Sequence, residues 1–581
     1  MAELMDIRVE RNVAVPMRDG TILRADVFRP EREGRYPVLL MRTPYSKAVG
    51  STAYNWLPPI RPASEGYVVV IQDVRGRFES EGSFRPFHQE IDDGFDTVEW
   101  AARQVWSNGR VGMYGASYYG ATQWLAARAQ APNLQAIFPG LTASDYFDGW
   151  IYQGGAFELA FNTMWAGTAF AIPETLKRDL DDTRRQQLLR GLYALAFDHW
   201  PVLRHLPVRD IPAFAHELVA PYFKEWLDHP TRDAYWESVS IEAAHSRIHT
   251  PAFNLGGWFD MFLRGTLRNY SGMRENGPTE IARDGQKLIV GRWVHGSMLT
   301  TQAGHSNFGA VAQIVLEELH MRWFDHWLRD RDTGIEREPP VRVFTVGANR
   351  WHDFDAWPPK EAIFTPYFLH SNGSANTARG DGALTTTAPG ADEQPDRLIY
   401  DPLNPVPTRG GGNFVSPSDV PAGQFDQAPV EQRQDVLCYT STALPDDLEI
   451  AGPVEARLWV ASSQPDTDFT VKLVDVAPDG VALNLCDGIF RARYREGFDR
   501  VALLRPGQPV AITIDMTGIA ALFRAGHRIR IEVSSSNFPR FDRNTNTGAA
   551  IATDPTVAVA VNTLLHDAAH PSAVVLPVIP R

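Results

Sequence analysis

Arg110-Val111-Gly112-Met113-Tyr114-Gly115-Ala116-Ser117-Tyr118-Tyr119-Gly120 is the stretch on which the reading of this chain turns. Val111 to Tyr114 is apolar and β-prone, a run of small residues carries Ser117, and Ala121 to Ala127 favours a helix. The spacing predicts strand, tight turn and helix, with a serine hydroxyl lifted clear of the strand end. Glycines at 115 and 120 relieve the crowding that such a turn creates. The second glycine stands one residue later than in the common G-x-S-x-G pattern, with Tyr119 in its place.

Working outward, short apolar runs at Tyr36 to Met41, Gly66 to Gln72 and Leu134 to Leu141 have the texture of strands buried on both faces of a mostly parallel sheet. Loops beyond the carboxyl ends of such strands are where chemistry gathers. This places Thr43-Pro44-Tyr45 and Asp73-Val74-Arg75-Gly76 at positions of interest. Residues 7 to 30 alternate around a turn at Arg18-Asp19-Gly20 and read as an antiparallel hairpin. Asp93 to Gln104 has helical spacing and leads into the serine strand.

From 146 to about 245 the texture is helical and rich in tryptophan, and is read as a cap over the strand ends. The strand pattern returns at Pro251 to Gly256, before Gly257-Trp258-Phe259-Asp260, and at Lys287 to Trp293, before Val294-His295-Gly296. A helical segment is expected over Ala310 to Leu328. Beyond about 355, short alternating runs separated by Pro, Gly, Asp and Asn predict an all-β sandwich or jelly roll, with Asn372 to Pro395 as an exposed loop. The fold class is therefore α/β. Core segments are expected at 1–145 and 246–355, a cap at 146–245 and a β domain at 356–581.

The 581 residues are 44% hydrophobic, enough for two or more domains with large cores. A formal charge of -14 without a Lys/Arg cluster argues against nucleic acid or an anionic membrane as partner. Cys438 and Cys486 suffice for one disulfide, but so sparse a count fits a reducing compartment, and both are read as buried thiols. The first twenty residues lack a basic head followed by an apolar core, and no later window is long and apolar enough to span a bilayer. Cytoplasm is the expected location.

Acyl transfer needs a nucleophile, a base within hydrogen-bond reach and a group that orients the base. Ser117, Asp260 and His295 supply those types, each just past an apolar run and in the chain order Ser, Asp, His. Asp260 also suits a helix N-cap ahead of Met261-Phe262-Leu263, and His245, His249 and His305 are nearby rivals of His295. An oxyanion hole needs two donors. The backbone N–H of Tyr118 is one candidate and the Tyr45 hydroxyl the other, since Pro44 has no N–H.

TPYSK with Tyr45, IQDVRGRFESEG, GMYGASYYG, GGWFD and WVHGS together resemble the cocaine esterase and X-prolyl dipeptidyl-peptidase group of α/β-hydrolases, over nearly the whole chain. The late elbow glycine fits that group. The resemblance implies an α/β-hydrolase core with a helical cap and a C-terminal jelly roll. It further implies Ser117, Asp260 and His295 as triad, with Tyr45 and Tyr118 as oxyanion donors. By similarity to the esterase branch, Trp150, Trp165 and Phe262 line an aromatic acyl pocket. α-Amino ester hydrolases of the group carry acidic residues after the catalytic Asp; here Met261, Phe262 and Leu263 follow, which favours an uncharged, apolar acyl group. Asp145, Asp148 and Glu158 near the cap keep a cationic substrate in view.

The expected function is a serine carboxylesterase working through an acyl-enzyme, with no metal or organic cofactor. The alternatives are an X-prolyl peptidase or α-amino ester hydrolase with the same triad, and a non-catalytic carbohydrate-binding protein. A small-molecule ester is the expected partner, and pairing into a homodimer is left open.

Overall fold

The structure, a computed structural model, describes residues 4–48, 56–296, 298, 300–414 and 420–580. Ser297 of the WVHGS stretch lies outside the described residues. A ten-stranded sheet organises the first part of the chain. Its strands are β1 (Ile7–Pro16), β2 (Ile22–Pro30), β3 (Tyr36–Thr43), β4 (Val68–Asp73), β5 (Ser107–Ala116), β6 (Leu134–Gly140), β7 (Phe253–Phe259), β8 (Lys287–Val294), β9 (Val341–Thr345) and β10 (Arg350–Phe354). The order across the sheet is β1-β2-β4-β3-β5-β6-β7-β8-β9-β10. The run from β4 to β9 is parallel, and the pairings β1 with β2, β2 with β4, and β9 with β10 are antiparallel.

The two-residue period of a strand explains why these segments read as continuous apolar runs. Leu40, Val70, Val111 and Met113 point to the face covered by helices α1 (Glu90–Ala102) and α2 (Tyr118–Arg128), through Val98, Trp124 and Leu125. Leu39, Met41, Val69, Ile71 and Tyr114 point to the opposite face, under Met321, Trp323, Phe324 and Leu328 of the helix Leu316–Arg329. With both faces covered, only the strand ends are left for chemistry. Because the central strands are parallel, Thr43, Asp73, Ala116, Phe259 and Val294 end on one edge.

Helices and turns occupy most of the stretch between β6 and β7, the first of the helices being α3 (Leu159–Met164). The stretch also holds a small hairpin, Tyr152–Gln153 with Ala156–Phe157, turned through Gly154 and Gly155. Two-residue strands are too short to produce an alternating signal. The helix expected over Ala310 to Leu328 is interrupted: Ala310–Ala312 is a single 3-10 turn, and the α-helix starts at Leu316.

From Ile363 on, the chain forms a mostly antiparallel β-rich domain whose strands interleave sequence-distant segments. The stretch Asn372 to Pro395 is largely exposed, as expected, but the expectation of a loop throughout is corrected at one place. Ala383–Thr385 pairs antiparallel with Phe368–His370 and parallel with Thr440, and Leu384 is buried. A three-residue strand within Gly- and Thr-rich flanks leaves no periodicity to read. Cys438 and Cys486 are buried free thiols. Among the described residues no helix is long and apolar enough to cross a membrane.

Candidate active site

Ser117 stands between β5 and α2 at φ 58° and ψ -126°, a conformation that costs a residue with a Cβ about 1–3 kcal/mol. Both neighbouring glycines are steric requirements. At Gly115, with φ +122°, an added Cβ would lie 2.7 Å from the Tyr119 Cβ. At Gly120 it would lie 2.8 Å from the Thr142 Cβ and 3.0 Å from the Gly140 carbonyl. The second glycine falls at 120 because that is where α2 presses on the end of β6.

Asp260 and His295 follow β7 and β8, and the parallel order brings both ends to the serine. His295 Nε2 is 3.1 Å from Ser117 Oγ, and His295 Nδ1 is 2.6 Å from Asp260 Oδ2. A carboxylate only accepts, so Nδ1 carries the proton and Nε2 is left to accept from the serine hydroxyl. Asp260 Oδ1 accepts from the Phe262 N–H at 2.7 Å. The capping role considered for Asp260 and the orienting role are thus held by different oxygens of one side chain. The rival histidines are elsewhere: His245 bonds Asn269, His305 packs on Phe425, and His249 is exposed.

The Tyr45 hydroxyl lies beside that of Ser117. Burial pushes its phenol well above the ordinary value, so it stays a protonated donor. It accepts from Trp165 Nε1 at 2.8 Å. Tyr118 is the first residue of α2, where a backbone N–H has no intrahelical acceptor. Its side chain is pinned below the sheet edge: the hydroxyl donates to Glu90 Oε1 at 3.0 Å and accepts from the Phe87 N–H at 3.0 Å. Glu90 Oε2 takes Arg42 Nη1 at 2.7 Å, and Arg42 Nε donates to Gln72 at 2.8 Å.

Aromatic rings wall this constellation. Trp150 stacks on Phe262 at 4.0 Å between centroids, and Phe262 meets the His295 ring edge-on at 5.1 Å. Trp165 lies 5.4 Å from Trp150. Two further rings were not foreseen. Phe161 packs 5.3 Å from Trp165, and Phe414, from the β-rich half of the chain, packs 5.6 Å from the His295 ring. Nothing in the sequence around Phe414 marks it, because it follows a glycine run in an irregular segment.

The carboxylates Asp145, Asp148 and Glu158 each face an arginine. Asp145 is 3.0 Å from Arg232, and Asp148 is 3.0 Å from Arg264 and 3.1 Å from Arg268. Burial pushes the Asp148 carboxyl up, and the two guanidiniums more than reverse this and hold it below the ordinary range. Glu158 is 3.6 Å from Arg540, and burial outweighs that arginine and pushes it up to about 7. Among the described residues no group of His, Cys, Asp and Glu is arranged to hold a metal ion.

Residues 19–297 match the X-Pro dipeptidyl-peptidase (S15) family, and residues 333–575 match the X-Pro dipeptidyl-peptidase C-terminal non-catalytic domain. The chain is 39% identical to the cocaine esterase of Rhodococcus sp. (strain MB1 Bresler), over 99% of each chain. A solved α-amino acid ester hydrolase superposes with a TM-score of 0.78 at 26% identity, over 99% of this chain and 97% of that one. An aminopeptidase from the marine sediment archaeon Thaumarchaeota archaeon gives a TM-score of 0.78 at 25% identity, over 100% and 97%. An α/β-hydrolase sheet, an elbow serine joined by histidine to an acid, and likeness along the full length converge: the chain is a serine hydrolase belonging to the X-Pro dipeptidyl-peptidase (S15) family and similar to cocaine esterase.

Proposed function

We propose that this chain hydrolyses carboxylic esters bearing an apolar or aromatic acyl group, by way of an acyl-enzyme on Ser117. Ser117 Oγ attacks the ester carbonyl carbon as its proton passes to His295 Nε2. Asp260 holds the imidazole in the tautomer that can take it. The Tyr45 hydroxyl and the Tyr118 N–H donate to the oxyanion of the tetrahedral intermediate. Collapse expels the alkoxide, which takes the proton from His295 and leaves as alcohol. Water then attacks the acyl-enzyme with His295 as base, and the carboxylic acid and free serine result.

The observation that carries this reading is the continuous hydrogen-bonded line from Ser117 through His295 to Asp260, set against aromatic rings. The 39% identical relative bears the name of an esterase, which points the same way. A peptidase or amino-ester reading needs a carboxylate free to hold a substrate ammonium. Asp145 and Asp148 are paired with arginines at 3.0 Å, burial disfavours the charged form of Glu158, and Met261, Phe262 and Leu263 follow the acid. Matched phenyl ester and prolyl amide substrates test the choice: the ester is expected to turn over faster by orders of magnitude. Ser117→Ala should abolish both turnover and labelling by a fluorophosphonate, and unchanged turnover in that variant overturns the assignment.

A further inference from the structure

The loop carrying Tyr45 and the cap segment carrying Trp165 are gripped by one buried guanidinium. Trp165 opens a π-helical stretch, Trp165–Ala171, between α3 and α4 (Ile172–Lys177). Widened turns of this kind depart from the regular hydrogen-bond ladder, and Pro173 has no N–H to offer the Ala169 carbonyl. Arg77 takes the carbonyls that are left. Its Nη2 donates to Ala169 O at 3.0 Å and its Nη1 to Phe170 O at 3.2 Å and Glu174 Oε1 at 2.9 Å. From Nε the same side chain donates to the Pro44 carbonyl at 2.8 Å, one residue before Tyr45. The guanidinium is 1% exposed and lies over the rings of Phe170 and Phe84, at 5.0 and 5.2 Å.

Between the two segments runs the 2.8 Å hydrogen bond from Trp165 Nε1 to the Tyr45 hydroxyl. An indole N–H only donates, so the Tyr45 oxygen must accept from it. The phenolic proton is then kept off the Trp165 side and remains available toward Ser117. Arg75, two residues earlier in the same quoted loop, has other work: it pairs with Asp93 at 2.6 Å and Asp19 at 2.7 Å. The two arginines of IQDVRGRFESEG are therefore not equivalent.

We propose that Trp165 and Arg77 are positioning residues of the oxyanion hole. Trp165 sets the direction in which Tyr45 donates, and Arg77 fixes the spacing between the Tyr45 loop and the cap helix so that the bond can form. Trp165 has a task here apart from lining an acyl pocket, and the hole has its side-chain donor in place only with the cap docked. This inference rests on the reading of Tyr45 as an oxyanion donor.

A double-mutant cycle tests it, with a phenyl ester as substrate and phenylboronic acid as a probe that adds to serine as a tetrahedral anion. Trp165→Phe keeps a ring and removes the donor. It is expected to lower kcat by about 10- to 100-fold with KM changed by less than about 3-fold, and to weaken the boronate by a factor similar to the kcat loss. Tyr45→Phe is expected to lose about 100- to 1000-fold in kcat. Tyr45→Phe/Trp165→Phe should be no worse than Tyr45→Phe alone, because an absent hydroxyl cannot be misdirected. Arg77→Lys keeps the charge but not the fork, and should show the same dependence on Tyr45.

Losses at 45 and 165 that multiply, or a Trp165→Phe effect confined to KM, overturn the positioning role while leaving the esterase reading intact. An active Ser117→Ala overturns both. Arg77→Lys is the variant at risk of misfolding, so the cycle at Trp165, checked by thermal unfolding, decides.

Discussion

His295 Nδ1 sits 2.6 Å from Asp260 Oδ2, both side chains nearly closed to solvent, and the other Asp260 oxygen is fixed by the Phe262 backbone. The carboxylate cannot turn away, so its effect on the imidazole is to choose a tautomer. Asp260→Asn has nearly the same shape but presents an amide that can donate to Nδ1. The proton then resides on Nε2, which cannot accept from Ser117. The expected outcome is a loss of about 1000- to 10,000-fold in kcat with KM little changed and thermal unfolding close to that of the parent. A loss under about 10-fold would mean that His295 is oriented by something else.

Ser117 is held at positive φ, and stability should rise when that constraint is lifted. Ser117→Gly removes the Cβ that makes φ 58° and ψ -126° costly, about 1–3 kcal/mol, against about 0.5–1 kcal/mol of extra chain entropy for glycine. An inactive variant about 1 kcal/mol more stable is expected by urea unfolding. Ser117→Ala keeps the Cβ and should not gain. If the glycine variant is the less stable of the two, the elbow stores no strain.

Under the elbow, Arg42 and Glu90 form an ion pair with no solvent exposure, joined to the Tyr118 hydroxyl. Burial raises the Glu90 carboxyl above its ordinary value, and Arg42, the next strongest influence, opposes this. Glu90→Ala strands the guanidinium and should cost about 3–5 kcal/mol in urea unfolding, whereas Glu90→Gln retains an acceptor for Tyr118 and should cost less. Similar costs for the two would show that the charge on Glu90, not the hydrogen bond to Tyr118, dominates.

What could be read from residues alone was the part built on periodicity. Strands buried on both faces gave the sheet and the elbow, and pointed to Ser117, Asp260 and His295, which the structure brings within hydrogen-bond reach of one another. Tyr45 and Tyr118 are candidate oxyanion donors from their positions alone, and the family resemblance points to the same two residues. Side-chain partners from far along the chain were not legible. For Trp165 the family resemblance implies only pocket lining, and an indole reads the same in a sequence whether or not its N–H has a partner. Arg77 carried no sign of its contacts with Pro44 and Phe170, which only the cap's π-helical turn creates. Phe414 reaches His295 from an irregular segment of the β-rich domain, and the three-residue strand at Ala383–Thr385 is shorter than any pattern a sequence displays.

A second gathering of Ser, His and Asp lies inside the β-rich domain, and its geometry makes it a pH-dependent tie. Asp396 Oδ2 accepts from Ser371 at 2.6 Å, Tyr439 at 2.7 Å and His566 Nε2 at 2.9 Å, while Oδ1 accepts from the Ala375 N–H at 2.8 Å. The serine donates to the acid at the shorter distance and also lies 3.1 Å from His566 Nε2, so its oxygen sits between the two partners. His566 Nδ1 is 3.3 Å from Glu393, and an imidazole facing carboxylates through both nitrogens is best satisfied as the cation. Burial pushes the His566 imidazole down, but Asp396 and Glu393 outweigh it and raise it above 6.5. Burial pushes the Asp396 carboxyl up, but His566, Ser371 and the Ala375 N–H outweigh it and lower it below 3.8.

A raised histidine gives stability that is whole below its ordinary value and lost as pH rises through the folded value. A lowered carboxylate gives stability that is whole above its ordinary value and lost as pH falls through the folded one. The contribution of this cluster is therefore greatest between the ordinary carboxylate range and about pH 6.5, and declines on both sides. His566→Gln should reduce Tm most within that window and progressively less toward pH 9, because the neutral imidazole it replaces there holds the carboxylates less strongly. A Tm difference between parent and variant that stays constant from pH 5 to 9 would remove His566 as the titrating tie and leave only its packing.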